Sequence, residues 1–305
     1  PRMESWMVKL ASIDLGSNST RLLIAEINDQ GFNVLIRKHV VTKMSENIEQ
    51  TGVISKEAFK RVNSTLRNFK KLLIANDVDD VFVIGTAALR DAKNSDEIIE
   101  NIRKKYDFEV EVLSGHEEGI TTSIGVLHFM ENSENFLIID IGGRSTEFVY
   151  EFENKIISKS LNLGVVTLSE KYFSHLPISK ELTNEAKLKI ETALSHLDIK
   201  DKKNVIGVSG TALSLGSIFL NQQNFNEEEL HEITIDIDNV KKINNRLLKM
   251  SEAEIITKFK GIDPKRAATI TSGVFLLEII LSHYSNSPII ISKNDILEGL
   301  ILKKY

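Results

Sequence analysis

The sequence predicts an α/β protein that is built twice, as two related halves with a cleft between them. A polar turn between two apolar runs occurs at residues 13–20 (IDLGSNST) and again, without a gap, at residues 139–146 (IDIGGRST), 126 positions later. A second segment, residues 83–87, recurs as residues 208–212 at a separation of 125 positions. Two matches in one order and at nearly one spacing indicate a duplicated fold, and ligands favour the clefts between such halves.

Apolar runs that alternate with helical patterns support the α/β class. The predicted strands cover residues 10–13, 21–27, 32–37, 81–84, 108–113, 136–139 and 205–208. Ser55 is a predicted N-cap, because the apolar residues after it follow the 3.6-residue period of one buried helix face. Asp263 and Pro264 predict the start of another helix, which reaches about His283 and carries Arg266 in its first turn.

The length of 305 residues exceeds the size at which single hydrophobic cores usually stop growing, which favours two domains. We predict a first domain of residues 1–124 together with about 295–305, and a second domain of residues 125–294. This places the break around Gly125, inside the helix that follows Glu118. Residues 1–6 fit no pattern and carry no functional weight.

Composition excludes several classes of protein. The net charge is −5, so no overall positive field attracts nucleic acid. We find no apolar run long enough to span a bilayer and no secretory segment at the amino end, so we expect no membrane contact. There is no cysteine, which removes thiol nucleophiles and disulfides and fits a cytoplasmic location.

Each polar turn follows a strand that ends near an aspartate, Asp14 or Asp140. Backbone N–H groups in such a turn converge on an anion such as phosphate, and the acid can hold a metal ion or a water beside it. The alternative is a pair of ordinary hairpins whose glycines and serines serve only the turn. Because both copies keep an acid, we favour phosphate binding. The residues concerned are Gly16, Ser17, Asn18 and Ser19 in the first turn, and Gly142, Gly143, Arg144, Ser145 and Thr146 in the second.

Glu118 lies at the start of a predicted helix, after Ser114 and Glu117, which match a capping box. Glu117 therefore has a structural explanation, whereas Glu118 has none of this kind. A carboxylate at this place can accept a proton from a water in the cleft. The alternative is an acid that only stabilises the helix start through the helix dipole.

Three arginines are candidate phosphate ligands, because a guanidinium stays charged and matches phosphate oxygens. Arg90 follows the Gly-Thr-Ala turn at residues 85–87, Arg266 lies in a helix start, and Arg21 directly follows the first polar turn. Each is equally compatible with an ion-paired surface residue, and Arg21 is the weakest of the three.

Glu147 occupies the position of Arg21 in the second copy. Together with Asp14 and Asp140 it can complete a three-carboxylate site for a hard cation such as Mg²⁺. The alternative is a solvent-facing glutamate on a strand. The histidines have no paired spacing of the kind that zinc sites use.

Taken together, the motifs resemble the exopolyphosphatase and guanosine pentaphosphate phosphohydrolase family, in its short two-domain form. The resemblance is carried over nearly the whole chain by residues 13–22, 85–94, 114–119, 140–147 and 210–212. It implies the actin/sugar-kinase-like (ribonuclease H-like) fold, a homodimer, and an Mg²⁺-dependent hydrolase of terminal phosphates of polyphosphate or guanosine pentaphosphate. It also implies that Glu118 is the catalytic base, that Asp140 and Glu147 are active-site acids, and that Gly210 binds phosphate.

Four residues depart from the family pattern. Arg144 and Ser209 replace glycines, Ala268 replaces an acid, and Leu297 replaces an arginine. A side chain in place of glycine can fill the space of a phosphate or oppose a positive φ, although Arg144 can also add a phosphate ligand.

The acids are all retained, so we expect an active enzyme in which Glu118 deprotonates a water that attacks the terminal phosphorus. Two other functions stay open. One is a kinase of the same superfamily, which requires an acceptor molecule. The other is a protein that binds an alarmone or polyphosphate without turnover, for which the four departures argue.

Overall fold

The computed structural model describes residues 7–131, 134–199, 202–284 and 287–305; residues 1–6 of the predicted first domain lie outside this part. The strands are β1 Met7–Leu15, β2 Ser19–Asn28, β3 Gly31–Val41, β4 Asp80–Gly85, β5 Val110–Val112, β6 Phe136–Ile141, β7 Thr146–Phe152, β8 Lys155–Leu161, β9 Asn204–Val208, β10 Thr234–Ile235 and β11 Ile289–Ile291. The helices are α1 Ile48–Thr51, α2 Lys56–Ala75, α3 Ala87–Asp91, α4 Ser95–Tyr106, α5 Gly115–Phe129, α6 Val165–Tyr172, α7 Lys180–Leu194, α8 Ser209–Phe219, α9 Ile237–Leu247, α10 Glu252–Lys258, α11 Ala267–Tyr284 and α12 Ile296–Lys304, with a 3-10 turn at Pro264–Arg266.

The chain forms two compact units, each with its own sheet. The first unit is Pro1–Ser114 with Ile296–Tyr305, and the second is Gly115–Asp295. The return of the last helix to the first unit is as predicted, but the second unit starts ten residues before the predicted break at Gly125. The reason is that α5 packs along its length on β7 and β8, so that the helix belongs to one unit and is not divided.

The two sheets share one strand order, as a duplicated fold requires. In the first unit the order is β3-β2-β1-β4-β5, where β1, β2 and β3 are antiparallel and β1, β4 and β5 are parallel. In the second unit β8-β7-β6-β9-β11 repeats this order and these directions, and β10 is added at the edge. Parallel strands joined through helices place turns from several strands at one end of each sheet.

Helices cover both faces of the first sheet. One face packs on α2 and α4; the α2 helix begins as predicted, with the Ser55 side chain accepting a hydrogen bond from Ala58 N, and buries Val62 and Leu66. The other face packs on α12, where Leu297 is buried against Leu10 and Leu23. Leu297, one of the four departures, is therefore a core residue here.

A buried ion pair anchors α12 in the first unit. The Arg37 guanidinium of β3 donates to Glu298, whose side chain is fully buried. A buried carboxylate needs such a partner, because its desolvation is otherwise uncompensated. The Ser12 hydroxyl adds a hydrogen bond of 2.8 Å to the Leu297 carbonyl oxygen.

The second sheet is also covered on both faces, by α5 on one and mainly by α6, α7, α9 and α11 on the other. Asp263 caps the 3-10 turn through Lys265 N, and α11 continues to Tyr284, in agreement with the predicted start and end. Among the described residues, the stretch Pro264–Tyr284 is long and apolar enough to span a membrane, although the sequence analysis found no such run. Since 78% of its apolar window is buried, it is a core helix of the second unit.

Candidate active site

The first polar turn is a tight loop between β1 and β2. Gly16 N donates to Ser19 O at 3.0 Å, and a Cβ at Gly16 would lie only 2.7 Å from that same oxygen, so the turn requires glycine. Ser17, Asn18 and Ser19 are all buried. The predicted phosphate-binding residues 16–19 therefore form one compact structure at the end of β1.

A segment that the sequence analysis did not assign to the site holds this loop. The backbone N–H groups of Thr42 and Lys43 donate to Asn18 O at 3.0 and 2.9 Å, and Ser45 N donates to Ser17 O at 2.9 Å. The only available signal was that the segment follows a predicted strand. Pairing of β2 with β3 sets this contact, because Ser19 lies opposite Val41 in the register.

Asp14 and Arg21 lie directly opposite each other on β1 and β2. Arg21 donates from Nε at 2.9 Å and from an Nη nitrogen at 2.7 Å to Asp14 Oδ2. Both side chains are largely buried. The structure thus joins a predicted metal ligand to a predicted phosphate ligand, and the arginine compensates the charge of the acid.

The second polar turn has the same closure but a different support. Gly142 N donates to Ser145 O at 2.9 Å, as in the first loop. The first residues of α6 hold the turn, since Val165 N and Val166 N donate to the carbonyl oxygens of Gly142 and Gly143. Gly164 makes this approach possible, because a Cβ there would overlap the backbone of Gly143.

Two acids face each other beside the second loop. Asp140 on β6 lies opposite Glu147 on β7, and their exposed fractions are 7% and 1%. Ser160 on β8 donates to Glu147 Oε1 at 2.7 Å. Like charges at directly opposite positions of an antiparallel pair repel, so this arrangement requires positive charge or hydrogen-bond donors beside it.

Glu118 is buried in the first turn of α5, in the same unit as this pair of acids. The helix approaches the sheet through its glycines. A Cβ at Gly115 would lie 2.5 Å from Ser160 Cβ and 3.8 Å from Glu147 Oε1, and one at Gly119 would overlap the Ser158 hydroxyl. This close packing places the helix start that carries Glu118 against the strands that carry Glu147.

Gly210 and Arg266 are in direct contact. The guanidinium of Arg266 occupies the position that a Cβ at Gly210 would take. Ser209, the first residue of α8, has a φ of 61°, and its hydroxyl donates to the buried Asp295 at 3.3 Å. The serine that departs from the family pattern therefore stands in a backbone conformation that favours glycine.

Arg90 belongs to the first unit, in the short helix α3 after β4. One of its Nη nitrogens donates to the Leu113 carbonyl oxygen at 2.6 Å, which ties α3 to the end of β5. Arg144, in contrast to Ser209, is not among the described non-glycine residues with positive φ. Its side chain replaces a glycine of the family pattern without this strain.

The predicted residues are divided between the units. The first unit holds Asp14, residues 16–19 and Arg90, and the second holds Glu118, Asp140, residues 142–147, Gly210 and Arg266. Within residues 7–131, 134–199, 202–284 and 287–305, no group of three or more His, Asp or Glu side chains is arranged to hold a metal ion. Of the three predicted metal ligands, Asp14 belongs to the first unit, whereas Asp140 and Glu147 belong to the second.

Residues 23–305 match the Ppx/GppA phosphatase family. A bifunctional 3-dehydroquinate synthase/phosphatase of Fusobacterium nucleatum is 31% identical over 96% of this chain, which spans 46% of that protein. A candidate exopolyphosphatase of Haemophilus influenzae is 26% identical over 99% of this chain and 93% of its own length. This chain is thus less than half as long as the first of these relatives.

A solved structure gives the same result for the fold. The crystal structure of the Aquifex aeolicus member of the Ppx/GppA family superposes with a TM-score of 0.84 at 25% identity, covering 98% of each chain. The duplicated sheets are therefore those of the actin/sugar-kinase-like fold, as the resemblance implied. With this fold, the loops described above and the family match over 23–305, the chain belongs to the Ppx/GppA phosphatase family.

Proposed function

We propose that the protein is a phosphohydrolase that removes the terminal phosphate of inorganic polyphosphate or of guanosine pentaphosphate. The observation that carries this proposal is the facing pair of Asp140 and Glu147 beside the second loop, in the unit whose α5 carries the buried Glu118. Buried acids next to a turn rich in backbone N–H groups combine a site for a cation with a site for phosphate.

We propose Mg²⁺ as the cofactor. Protein Mg²⁺ sites commonly use one or two carboxylates together with waters and substrate phosphate oxygens, and Asp140 and Glu147 offer two carboxylates at adjacent positions of one sheet. The ion, when bound, offsets the negative charge of the transferring phosphoryl group. Asp14, already paired with Arg21, is the weaker ligand of the predicted three.

Glu118 acts as the general base in this proposal. Its carboxylate accepts a proton from a water, the water oxygen forms a bond to the terminal phosphorus, and the bridging P–O bond breaks, so that the shortened chain departs with the electron pair. The second loop and the Arg266 guanidinium beside Gly210 bind phosphate oxygens. Arg90, in the first unit, is a further candidate ligand.

Polyphosphate is the substrate we would test first. The Haemophilus influenzae relative, which this chain matches over nearly its full length, carries the name of an exopolyphosphatase. Guanosine pentaphosphate is the second candidate, because the family includes enzymes of both kinds. We also propose a cytoplasmic location, with which the absence of cysteine is consistent.

The test is phosphate release by the purified protein with Mg²⁺, from long-chain polyphosphate, guanosine pentaphosphate and ATP. The variant Glu118→Gln keeps the shape of the side chain and removes the base, so we expect turnover to fall about 10²- to 10⁴-fold with binding retained. Glu117→Gln is the matched control, because Glu117 is the exposed neighbour in the same helix turn.

Each outcome distinguishes between the functions. Release that depends on Glu118 but not on Glu117 supports the hydrolase and identifies its substrate. Equal turnover by Glu118→Gln excludes Glu118 as the base. Binding without release by the wild-type protein favours the non-catalytic function, for which the strained Ser209 is the structural argument, and phosphate transfer from ATP only in the presence of an acceptor favours a kinase.

A further inference from the structure

Lys43, two residues beyond the end of β3, has a backbone conformation that lysine rarely adopts. Its φ is 48°, in the left-handed region. Ten described non-glycine residues have positive φ, and six of them are Asn or Asp, which tolerate it best. Of the other four, Lys43 and Ser209 adjoin the loops described above. Strained residues of this kind cluster at functional sites, because elsewhere a better-suited residue can replace them.

The surrounding structure fixes this conformation. Lys43 N donates to the Asn18 carbonyl oxygen of the first loop at 2.9 Å. On the other side, Arg61 donates to Thr42 O at 2.6 Å and to Lys43 O at 3.1 Å. The backbone of Lys43 is therefore held between the first loop and α2, and the residue cannot relax to negative φ without breaking these bonds.

The charge of Lys43 has no carboxylate partner among the residues that the structure describes. The side chain is half-buried. The nearest acid along the chain, Glu46, is already paired with Arg61 at 2.8 Å. A lysine charge that is not used in an ion pair is available to an anion, so the position can accept a negatively charged ligand.

Two hydroxyl groups at the same place also lack a partner. Ser17 Oγ and Ser45 Oγ are buried and make no hydrogen bond to any described residue, although the backbones of the two residues are joined at 2.9 Å. The Asn18 amide oxygen is likewise buried without a hydrogen-bond partner among the described residues, and it can accept a hydrogen bond from an ammonium group or a water. Buried polar groups are normally satisfied, so these atoms indicate a polar ligand or ordered water at the first loop.

We propose that Lys43 is the phosphate-binding cation of the first loop, with the hydroxyl groups of Ser17 and Ser45 as further donors. This assignment rests on the proposed function, and it places one phosphate of the polyphosphate chain at the first loop. Arg21 cannot serve as well, because its guanidinium is committed to Asp14. This role explains why a lysine stands at a strained position. Its flexible side chain can bring a positive charge to a loop whose own arginine, Arg21, is already paired.

Substitution by glycine separates this function from a structural one. Lys43→Gly relieves the strained backbone and removes the charge, so we expect an unchanged or higher melting temperature together with weaker phosphate binding. The loss of one charged hydrogen bond corresponds to about a 10- to 100-fold increase in Kd. Lys43→Arg should stay within a few fold of the wild type, and Lys71→Met, at an exposed position of α2, is the control.

The measurement is titration calorimetry with tripolyphosphate, without added Mg²⁺, alongside thermal unfolding of each variant. Weaker binding by Lys43→Gly at equal or higher stability supports the proposal. Unchanged binding overturns it, as does weaker binding that comes with a lower melting temperature, or the absence of binding by the wild-type protein. Binding is measured here without turnover. A wild-type protein that binds tripolyphosphate but releases no phosphate would therefore refute the proposed hydrolase, and the role of Lys43 in binding could still be tested.

Discussion

The two hairpins that carry the polar turns have the same backbone arrangement, but the residue that faces the aspartate differs in charge. In β1 and β2 the residue opposite Asp14 is Arg21, and the two form an ion pair. In β6 and β7 the residue opposite Asp140 is Glu147, and an acid faces an acid. Both hairpins close with the same glycine N–H to serine carbonyl hydrogen bond, at 3.0 and 2.9 Å.

This difference shows how a duplicated unit can divide its tasks. An acid paired with arginine stabilises its own hairpin and has little capacity left for a cation, whereas facing acids depend on positive charge or donors from other elements. In the first hairpin the charge of the acid is therefore compensated within the hairpin itself. In the second hairpin the two acids cannot compensate each other, so positive charge or hydrogen-bond donors must come from outside the pair, as Ser160 does for Glu147.

The largest expected effect comes from removing one charge of the acid pair. Glu147→Gln keeps the shape of the side chain and its hydrogen bond from Ser160, and we expect phosphate release to fall about 10²- to 10³-fold. The protein should stay folded, because the substitution keeps the shape of the side chain and the hydrogen bond from Ser160. Glu151→Gln, four residues along the same strand, is the control. Full turnover by Glu147→Gln would contradict the assignment of the acid pair to catalysis.

The equivalent change in the first hairpin should act on stability instead. Arg21→Met leaves the buried Asp14 without its guanidinium, and we expect a loss of about 3 kcal/mol in denaturant unfolding. The double variant Asp14→Asn with Arg21→Met removes both charges and should recover part of this loss. If the double variant is no more stable than Arg21→Met alone, the ion pair does not stabilise the hairpin.

The smallest effect concerns Ser209, which precedes Gly210, one of the predicted phosphate ligands. Ser209→Gly relieves a left-handed conformation and should stabilise the second unit by about 1 kcal/mol, less the weak hydrogen bond to Asp295. Ser209→Ala keeps the strain and loses the hydroxyl group, so it should be less stable than the wild type. Thermal unfolding of the three proteins gives this order, and a glycine variant below the wild type would show that Asp295 matters more than the strain.

The fold was largely predictable from the sequence, because its strands and turns are local patterns and because two of these patterns recur at nearly the same spacing. The Ser55 cap and the helix start at Asp263 were predicted correctly. The structure places the boundary before α5 and not near Gly125. Tertiary packing decides to which of two units a helix belongs, and this packing cannot be read from a local pattern. In α5 that packing rests on Gly115 and Gly119, whose fit against Ser160 and Ser158 is visible only in three dimensions.

The two polar turns form as the sequence predicted, because each motif is contiguous in the sequence, whereas the catalytic, metal and phosphate roles of their residues stay predictions. The segments that support the turns were not predicted. Lys43 and Gly164 were missed because they reach the loops through strand pairing and a helix start far along the chain. The positive φ of Ser209 could be suspected from the missing glycine, whereas that of Lys43 leaves no such trace in a single sequence.

The order in which the chain is synthesised makes the final helix decisive. The sheet of the first unit is complete by β5, but one of its faces remains exposed until α12 supplies Leu297 and Ile301. The partner of Arg37, Glu298, arrives with the same helix. Of the two units, the first can therefore be completed only after the second has been translated in full, and until then one face of its sheet lacks its apolar cover.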